Sequence, residues 1–241
     1  MCTVSLIARD HGYALAMNRD EKLSRVAGLP PKLRGKAGRK ILGPSEPGGG
    51  TWIALNNAGI TFALINWYAI TTRVKINPVS RGDVVNAVSA TVSPPAASAV
   101  LKTLPLRQMN PFRLIGVFPA TQEIFQWRWN LKKLIRKKHP WATQQWISSG
   151  FDEPTAQRIR SETFRRALKQ KSVGGLDWLR RLHRSHAPCA GPFATCMHRA
   201  DAATVSYTET VIAGNTASLR HQNIAPCAAE RTFQQALKLN R

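Results

Sequence analysis

Met1-Cys2-Thr3-Val4-Ser5-Leu6-Ile7-Ala8 opens the chain, and after Arg9-Asp10-His11-Gly12 it continues Tyr13-Ala14-Leu15-Ala16-Met17-Asn18-Arg19-Asp20-Glu21. Two short apolar stretches, 3–8 and 13–17, flank Asp10-His11-Gly12. This pattern predicts a β-hairpin, with glycine free to take positive φ. If Met1 is removed, Cys2 carries a thiol and a free α-amine on one residue. An α-amine titrates near ~7.7–8.0 and a free thiol near ~8.5, so the amine can take the thiol proton near neutral pH, as in N-terminal-nucleophile catalysis. On Cys2 alone, a small apolar residue opening a buried strand is the competing reading. Residues two apart on a strand share a face, so Asn18 and Asp20 are expected together, on a face beside Cys2. The carboxylate would orient the amine and the amide would donate to the thiol. Arg19, whose charge would lower a thiol pKa, falls on the other face by the same alternation.

The chain has 241 residues, 43% hydrophobic and 20% charged, which suits one globular domain over 1–241. No apolar run is long enough for a membrane span, and Arg9 and Asp10 interrupt the first apolar stretch, so a signal peptide is not expected. The four cysteines (Cys2, Cys189, Cys196, Cys227) lack paired close spacing. Neither a metal site nor a disulfide framework is expected, and a reducing cytoplasm fits. Thirty-five Lys and Arg against thirteen Asp and Glu give a formal charge of +22. Such a field attracts anions in general, but no nucleic-acid-binding motif accompanies it. The basic runs at 32–40, 132–138, 158–171 and 180–184 read as solvated faces, and specific nucleic-acid binding is not expected.

Residues 28–50, broken by Pro and Gly, read as a long loop. Residues 51–55 and 60–65 flank Asn56-Asn57-Ala58-Gly59 as a second hairpin. Residues 81–90 and 96–104 read as helices split by Pro94-Pro95, 112–118 and 123–129 as strands, and 153–171 and 175–186 as amphipathic helices. Late strands are expected at 194–197, 204–207 and 210–212, and a closing helix at 228–239. Hairpins with helices between and after them suggest an α+β layering.

Gly48-Gly49-Gly50 lets the backbone approach another group closely, with Trp52 as an apolar wall. Asn66, ending an apolar run before Trp67-Tyr68, could place an amide near a reacting carbonyl. Met1-Cys2, Asn18-Arg19-Asp20-Glu21, Gly49-Gly50-Thr51-Trp52, Leu64-Ile65-Asn66 and Ser80-Arg81-Gly82 occur in the order found in one family. The chain resembles the NRDE family, also called the transport and Golgi organisation protein 2 family. That family is similar to the cysteine N-terminal-nucleophile hydrolases, such as penicillin V acylase and bile salt hydrolase. The likeness is strongest over 1–85, weaker at Asn110-Pro111-Phe112 and around Cys196-Met197-His198-Arg199.

The resemblance implies an αββα sandwich of two antiparallel sheets, with Cys2 at the nucleophile position, Asp20 as its acidic partner and Asn66 near the oxyanion region. The better-known hydrolases carry an Arg three residues before the Asp, where this chain has Met17, with Arg19 immediately before Asp20. They also carry a mid-chain Asn donor, whose counterpart here is Trp146-Ile147-Ser148-Ser149-Gly150. Trp52, Trp67 and Ser148 are the expected substrate contacts. His183 and His186 have metal-like i, i+3 spacing but no third ligand in the sequence, and His198 reads as a satisfied histidine. The expected function is a hydrolase of a non-peptide amide or acyl thioester. The alternative is a non-catalytic carrier of haem or an acyl lipid in the same cleft. No cofactor is expected, haem entering only as a bound ligand.

Overall fold

The computed structural model describes residues 2–228 and 232–240. In chain order the elements are β1 (Cys2–Arg9), β2 (Gly12–Lys22), β3 (Leu29–Lys36), β4 (Arg39–Ser45), β5 (Ile53–Asn56), β6 (Thr61–Asn66), α1 (Gly82–Val88), α2 (Pro94–Lys102), β7 (Phe112–Phe118), β8 (Glu123–Trp129), β9 (Leu134–His139), β10 (Gln144–Ser148), α3 (Glu153–Ala167), α4 (Leu176–Arg184), β11 (Ala202–Ala213), β12 (Thr216–Gln222) and β13 (Phe233–Lys238). One sheet runs β10-β1-β2-β11-β12-β13 and the other β3-β4-β5-β6-β7-β8-β9. Neighbouring strands in both are antiparallel.

Period-two alternation divides each strand between two apolar layers. On β1 and β2, Val4, Leu6, Tyr13, Leu15 and Met17 face the inter-sheet core, where they meet Leu42, Ile53, Leu55, Ile65 and Ile115 of the second sheet. Ile7, Ala14 and Ala16 face outward onto Phe164 of α3 and Trp178, Leu179 and Leu182 of α4. The two alanines leave room for a helix to lie close. On the far side, Phe62, Leu64, Phe112 and Leu114 pack against Val84, Val85 and Val88 of α1 and Ala97 and Leu101 of α2. The layers are therefore helix, sheet, sheet, helix, the αββα sandwich expected.

The hairpin at 2–22, strands β5–β8 and four helices stand where the sequence places them. Pro94-Pro95 occupies the first turn of α2, where the missing N–H costs nothing, and Ser93 caps it by accepting from Ala96 N. Three expectations are corrected. The long loop at 28–50 contains the hairpin β3–β4. Lys36 pairs with Arg39 across Ala37-Gly38, both at positive φ, a turn that suits the strand twist. Pro30 and Pro31 are tolerated because β3 is an edge strand with a register break there. Residues 194–197 form no strand; His198 makes only an isolated bridge to Ala203. The closing helix is instead β13 on the edge of the first sheet, apart from residues 229–231, which lie outside the described residues. Ala, Gln and Leu favour helix there, but Phe233, Leu237 and Leu239 recur at period two and pack on the inter-sheet core.

Gly12 closes the first hairpin at φ +125°, and a Cβ there would lie 2.1 Å from the Ile212 carbonyl oxygen. Gly12→Ala is therefore expected to cost about 2 kcal/mol or more. Urea unfolding should show the midpoint falling with an unchanged m-value; an unchanged midpoint would contradict the tight packing of β2 on β11.

Candidate active site around Cys2

Cys2 pairs with Arg19 on β2 and with Ser148 on β10. Directly opposed residues of an antiparallel pair project to the same face. Cys2, Arg19 and Ser148 therefore share the inter-sheet face, at the end of β1. The Ser148 hydroxyl is buried with no hydrogen-bond partner among the described residues. Next to it, Arg113 of β7 donates to the Ile147 carbonyl and pairs with Glu153 at 3.0 Å, tying β10 to the opposite sheet.

The Arg19 guanidinium lies 4.3 Å over the Trp52 ring and pairs with Glu46 at 2.8 Å and Glu21 at 3.5 Å. Arg25 closes the ring of charges with 2.8 Å contacts to the same two carboxylates. These groups form one wall of a cleft of about 320 Å³ that Cys2, Trp52, Asn66 and Arg81 also line. Asn66 Nδ2 donates to the Tyr68 hydroxyl at 2.9 Å; an amide has two N–H donors, so one remains. The glycine motifs explain how the cleft is closed. Thr51 N donates to the Gly82 carbonyl at 3.2 Å, and a Cβ on Gly82 would stand 2.7 Å from Gly50 Cα. No side chain fits between Gly50 and Gly82 at the start of α1. This contact holds Arg81, which the sequence reading left without a role although its motif was visible.

Asn18 and Asp20 project to the opposite, helix-facing side, which reverses the expected arrangement. Asn18 Nδ2 donates to the carbonyls of His183 and Thr195 (2.9 and 2.8 Å), and its Oδ1 lies 3.0 Å from His183 Nδ1. The Asp20 carboxylate takes Arg160 Nη1 at 3.2 Å and the Thr204 hydroxyl at 2.7 Å, and Arg160 Nη1 also donates to Thr3 Oγ1 at 2.8 Å. Both charged side chains are fully buried. Asp20 nevertheless lies beside the N-terminal side of Cys2, and its backbone N–H points at the thiol. Of the expected substrate contacts, Trp52 lines the cleft, whereas Ser148, buried on the Cys2 face, and Trp67 lie outside its lining; Trp67 meets Arg128 at 5.8 Å.

Burial pushes the Cys2 thiol up, and the Asp20 carboxylate adds to this; Arg19 and the Asp20 N–H act in the opposite sense. The thiol is thus held mainly protonated and needs a local base to become a nucleophile. Away from this cleft, His186, Cys196, His198 and Cys227 bring four ligand atoms within 4.8 Å of one another. His183, the i, i+3 neighbour of His186, is not among them. It is buried in the Asn18 knot, and burial pushes its pKa down to about 3.

Two predictions follow from the helix-facing knot. Arg160→Met strips a buried carboxylate of its cationic partner, which typically costs ~3–5 kcal/mol; guanidinium unfolding should show that loss. A loss below 1 kcal/mol would mean that Asp20 is not held by the pair. His183 is depressed from 6.5 to about 3, so the unfolded chain takes up a proton that the folded chain refuses. Stability is then full above about 6.5 and falls as pH drops towards 3. His183→Asn should flatten part of that slope in thermal melts between pH 7 and 5, and an unaltered slope would remove His183 as its source.

The fold is similar to that of known acylases. Penicillin V acylase from Agrobacterium tumefaciens superposes with a TM-score of 0.58 at 12% identity, over 97% of this chain and 85% of that one. Two variants of the conjugated bile acid hydrolase from Clostridium perfringens superpose with TM-scores of 0.54 and 0.55 at 9% and 10% identity, each over 100% of this chain and 97% of the hydrolase. Such identities carry the fold alone, a sandwich of two antiparallel sheets between helical layers. A search among curated proteins found no significant match. A sequence profile described as Transport and Golgi organisation 2 matches residues 1–171. With more than half its length under that profile, the chain belongs to the Transport and Golgi organisation 2 family.

Proposed function

We propose that the chain is an N-terminal-cysteine hydrolase acting on a non-peptide amide or an acyl thioester in a reducing compartment. The observation that supports it is the convergence of Cys2, Arg19 and the Ser148 hydroxyl, which has no partner among the described residues, on one face at the end of an interior strand that opens into the cleft. After loss of Met1 the α-amine accepts the thiol proton, and sulfur attacks the carbonyl carbon. The tetrahedral oxyanion is met by Ser148 Oγ and the second N–H of Asn66. The ammonium returns its proton to the leaving amine or thiol as the C–N or C–S bond breaks. Water, activated by the same amine, then hydrolyses the Cys2 thioester. The amine lies near the sheet plane, so Asp20 can orient it from the helix side while the thiol faces the cleft; Asp20 is a positioning residue. Asn18 holds the strand that carries it.

A second cavity of about 440 Å³ adjoins the first across Arg19, Glu21 and Arg25, with Leu23, Val26, Ala27 and Ile224 in its lining. It suits an apolar acyl group. The same cavity favours the second reading, a carrier of an acyl lipid or haem that makes no use of the thiol.

The two readings separate on Cys2. Intact mass first establishes that Met1 is removed. In the enzyme, iodoacetamide labels Cys2 well ahead of Cys189, Cys196 and Cys227, and Cys2→Ala abolishes turnover of N-acyl amides or acyl thioesters. Asn66→Ala lowers kcat by ~10²–10³ with the fold intact. In the carrier, no member of the panel is cleaved and Cys2→Ala leaves ligand affinity unchanged.

A further inference from the structure

We propose that His186, Cys196, His198 and Cys227 form a closed Cys2His2 site for Zn²⁺ that clamps the irregular segment between α4 and β11 to the segment after β12. The four donors come from parts of the chain far apart in sequence: just past α4, before β11 and beyond β12. His198 Nε2 lies 3.6 Å from Cys196 Sγ and 3.4 Å from Cys227 Sγ. The His186 and His198 rings stand 5.0 Å apart at 68°. A tetrahedron with Zn–S of ~2.3 Å and Zn–N of ~2.1 Å has S···N edges of about 3.6 Å. The observed separations fit with little movement.

The chemistry of the set points the same way. Two thiols and two imidazoles with no carboxylate are the borderline-soft donors that Zn²⁺ takes in four-coordinate structural sites. His198 Nε2 lies within reach of both sulfurs, and the two thiols also reach each other, so three donor atoms already converge on one point. His186 Nε2 is buried with no hydrogen-bond partner among the described residues, and a cation within the cluster gives that ring a use. All four cysteines are free thiols, so Cys196 and Cys227 are available as ligands. Binding Zn²⁺ displaces their two protons and needs no redox partner.

The site is separate from the Cys2 cleft but backs onto its support. The clamped segment supplies the Thr195 carbonyl to Asn18 and the Pro192 carbonyl to Arg160. Met197 N donates to Thr204 Oγ1, which in turn donates to Asp20. His198 and Cys227 also line the 440 Å³ cavity. The metal therefore fixes the wall behind Asp20 and one side of the apolar cavity, without touching the thiol.

The test is metal content and cobalt spectroscopy on the full chain, purified under reducing conditions. The expected result is close to one Zn²⁺ per chain by mass spectrometry. Co²⁺ exchange should give the charge-transfer band of thiolate ligands and the visible absorption of a tetrahedral ion. Cys227→Ser and His198→Asn should each weaken Co²⁺ binding at least ~100-fold, whereas Cys2→Ser and Cys189→Ser should keep both stoichiometry and spectrum. Hydrogen exchange of residues 185–201 should rise on chelation and fall on Zn²⁺ return. Should the variants fail to fold, the wild-type spectrum still decides. Failure of the wild-type chain to bind Zn²⁺ or Co²⁺, a tetrahedral spectrum that survives Cys227→Ser, or a native Cys196–Cys227 disulfide would each overturn the proposal.

Discussion

The pairing of Cys2 with Arg19 sets the rest of the site. A strand has only two faces, so once that pair is fixed every residue of β2 is assigned. Tyr13, Leu15, Met17 and Arg19 enter the inter-sheet space, and Ala14, Ala16, Asn18 and Asp20 meet the helices. A slip of one residue would put two buried polar groups into the apolar core and a guanidinium under α3. The desolvation cost of such a slip is several kcal/mol per charge, so the register is held firmly. The two-residue loop Asp10-His11 and the Gly12 contact with Ile212 enforce it from the other end of the hairpin.

This register splits the Asn18-Arg19-Asp20-Glu21 motif between two tasks. Arg19 and Glu21 belong to the cleft wall, where alternating charges from Arg25 and Glu46 neutralise them and Trp52 stacks beneath the guanidinium. Asn18 and Asp20 belong to the scaffold. Asn18 joins β2 to α4 and to the following segment, and Asp20 joins it to α3 and β11 through Arg160 and Thr204. A buried ion pair adds little net stability over an apolar replacement, but it admits one geometry. That restriction suits a strand whose neighbour ends in Cys2 at the edge of the cleft.

The layering and the cleft were legible in the sequence because their signals are local. Hairpin turns, glycine runs and alternating apolar residues lie within a few positions of one another. The faces of Asn18, Arg19 and Asp20 were misassigned because alternation gives a period and leaves the origin open. Counting Asp10-His11 as the loop pairs Arg9 with Gly12 and then Cys2 with Arg19; a turn read one residue longer exchanges the faces. Strand β13 was hidden for a different reason, since its helix-favouring composition yields to the edge of a sheet that only the folded chain supplies. Trp67 looked like a pocket residue because it follows Asn66, yet the chain turns away there to meet Pro111.

The large positive charge takes on a physical place once the strands are known. The run at 132–138 lies largely on β9, an edge strand whose Arg136, Lys137 and Lys138 are exposed. Charge on an open edge hinders pairing with another sheet. The run at 180–184 lies on α4, where Arg180 turns inward to Glu209 at 2.8 Å while Arg181 and Arg184 remain in solvent. Near Cys2 the picture differs, because Arg19, Arg81 and Arg113 are all drawn inward and partly desolvated. Their field is less screened than that of the surface lysines. A carboxylate or phosphate on any ligand in the cleft would therefore feel the few arginines around it more strongly than the many cations outside, so the bulk charge is a poor guide to what this site selects.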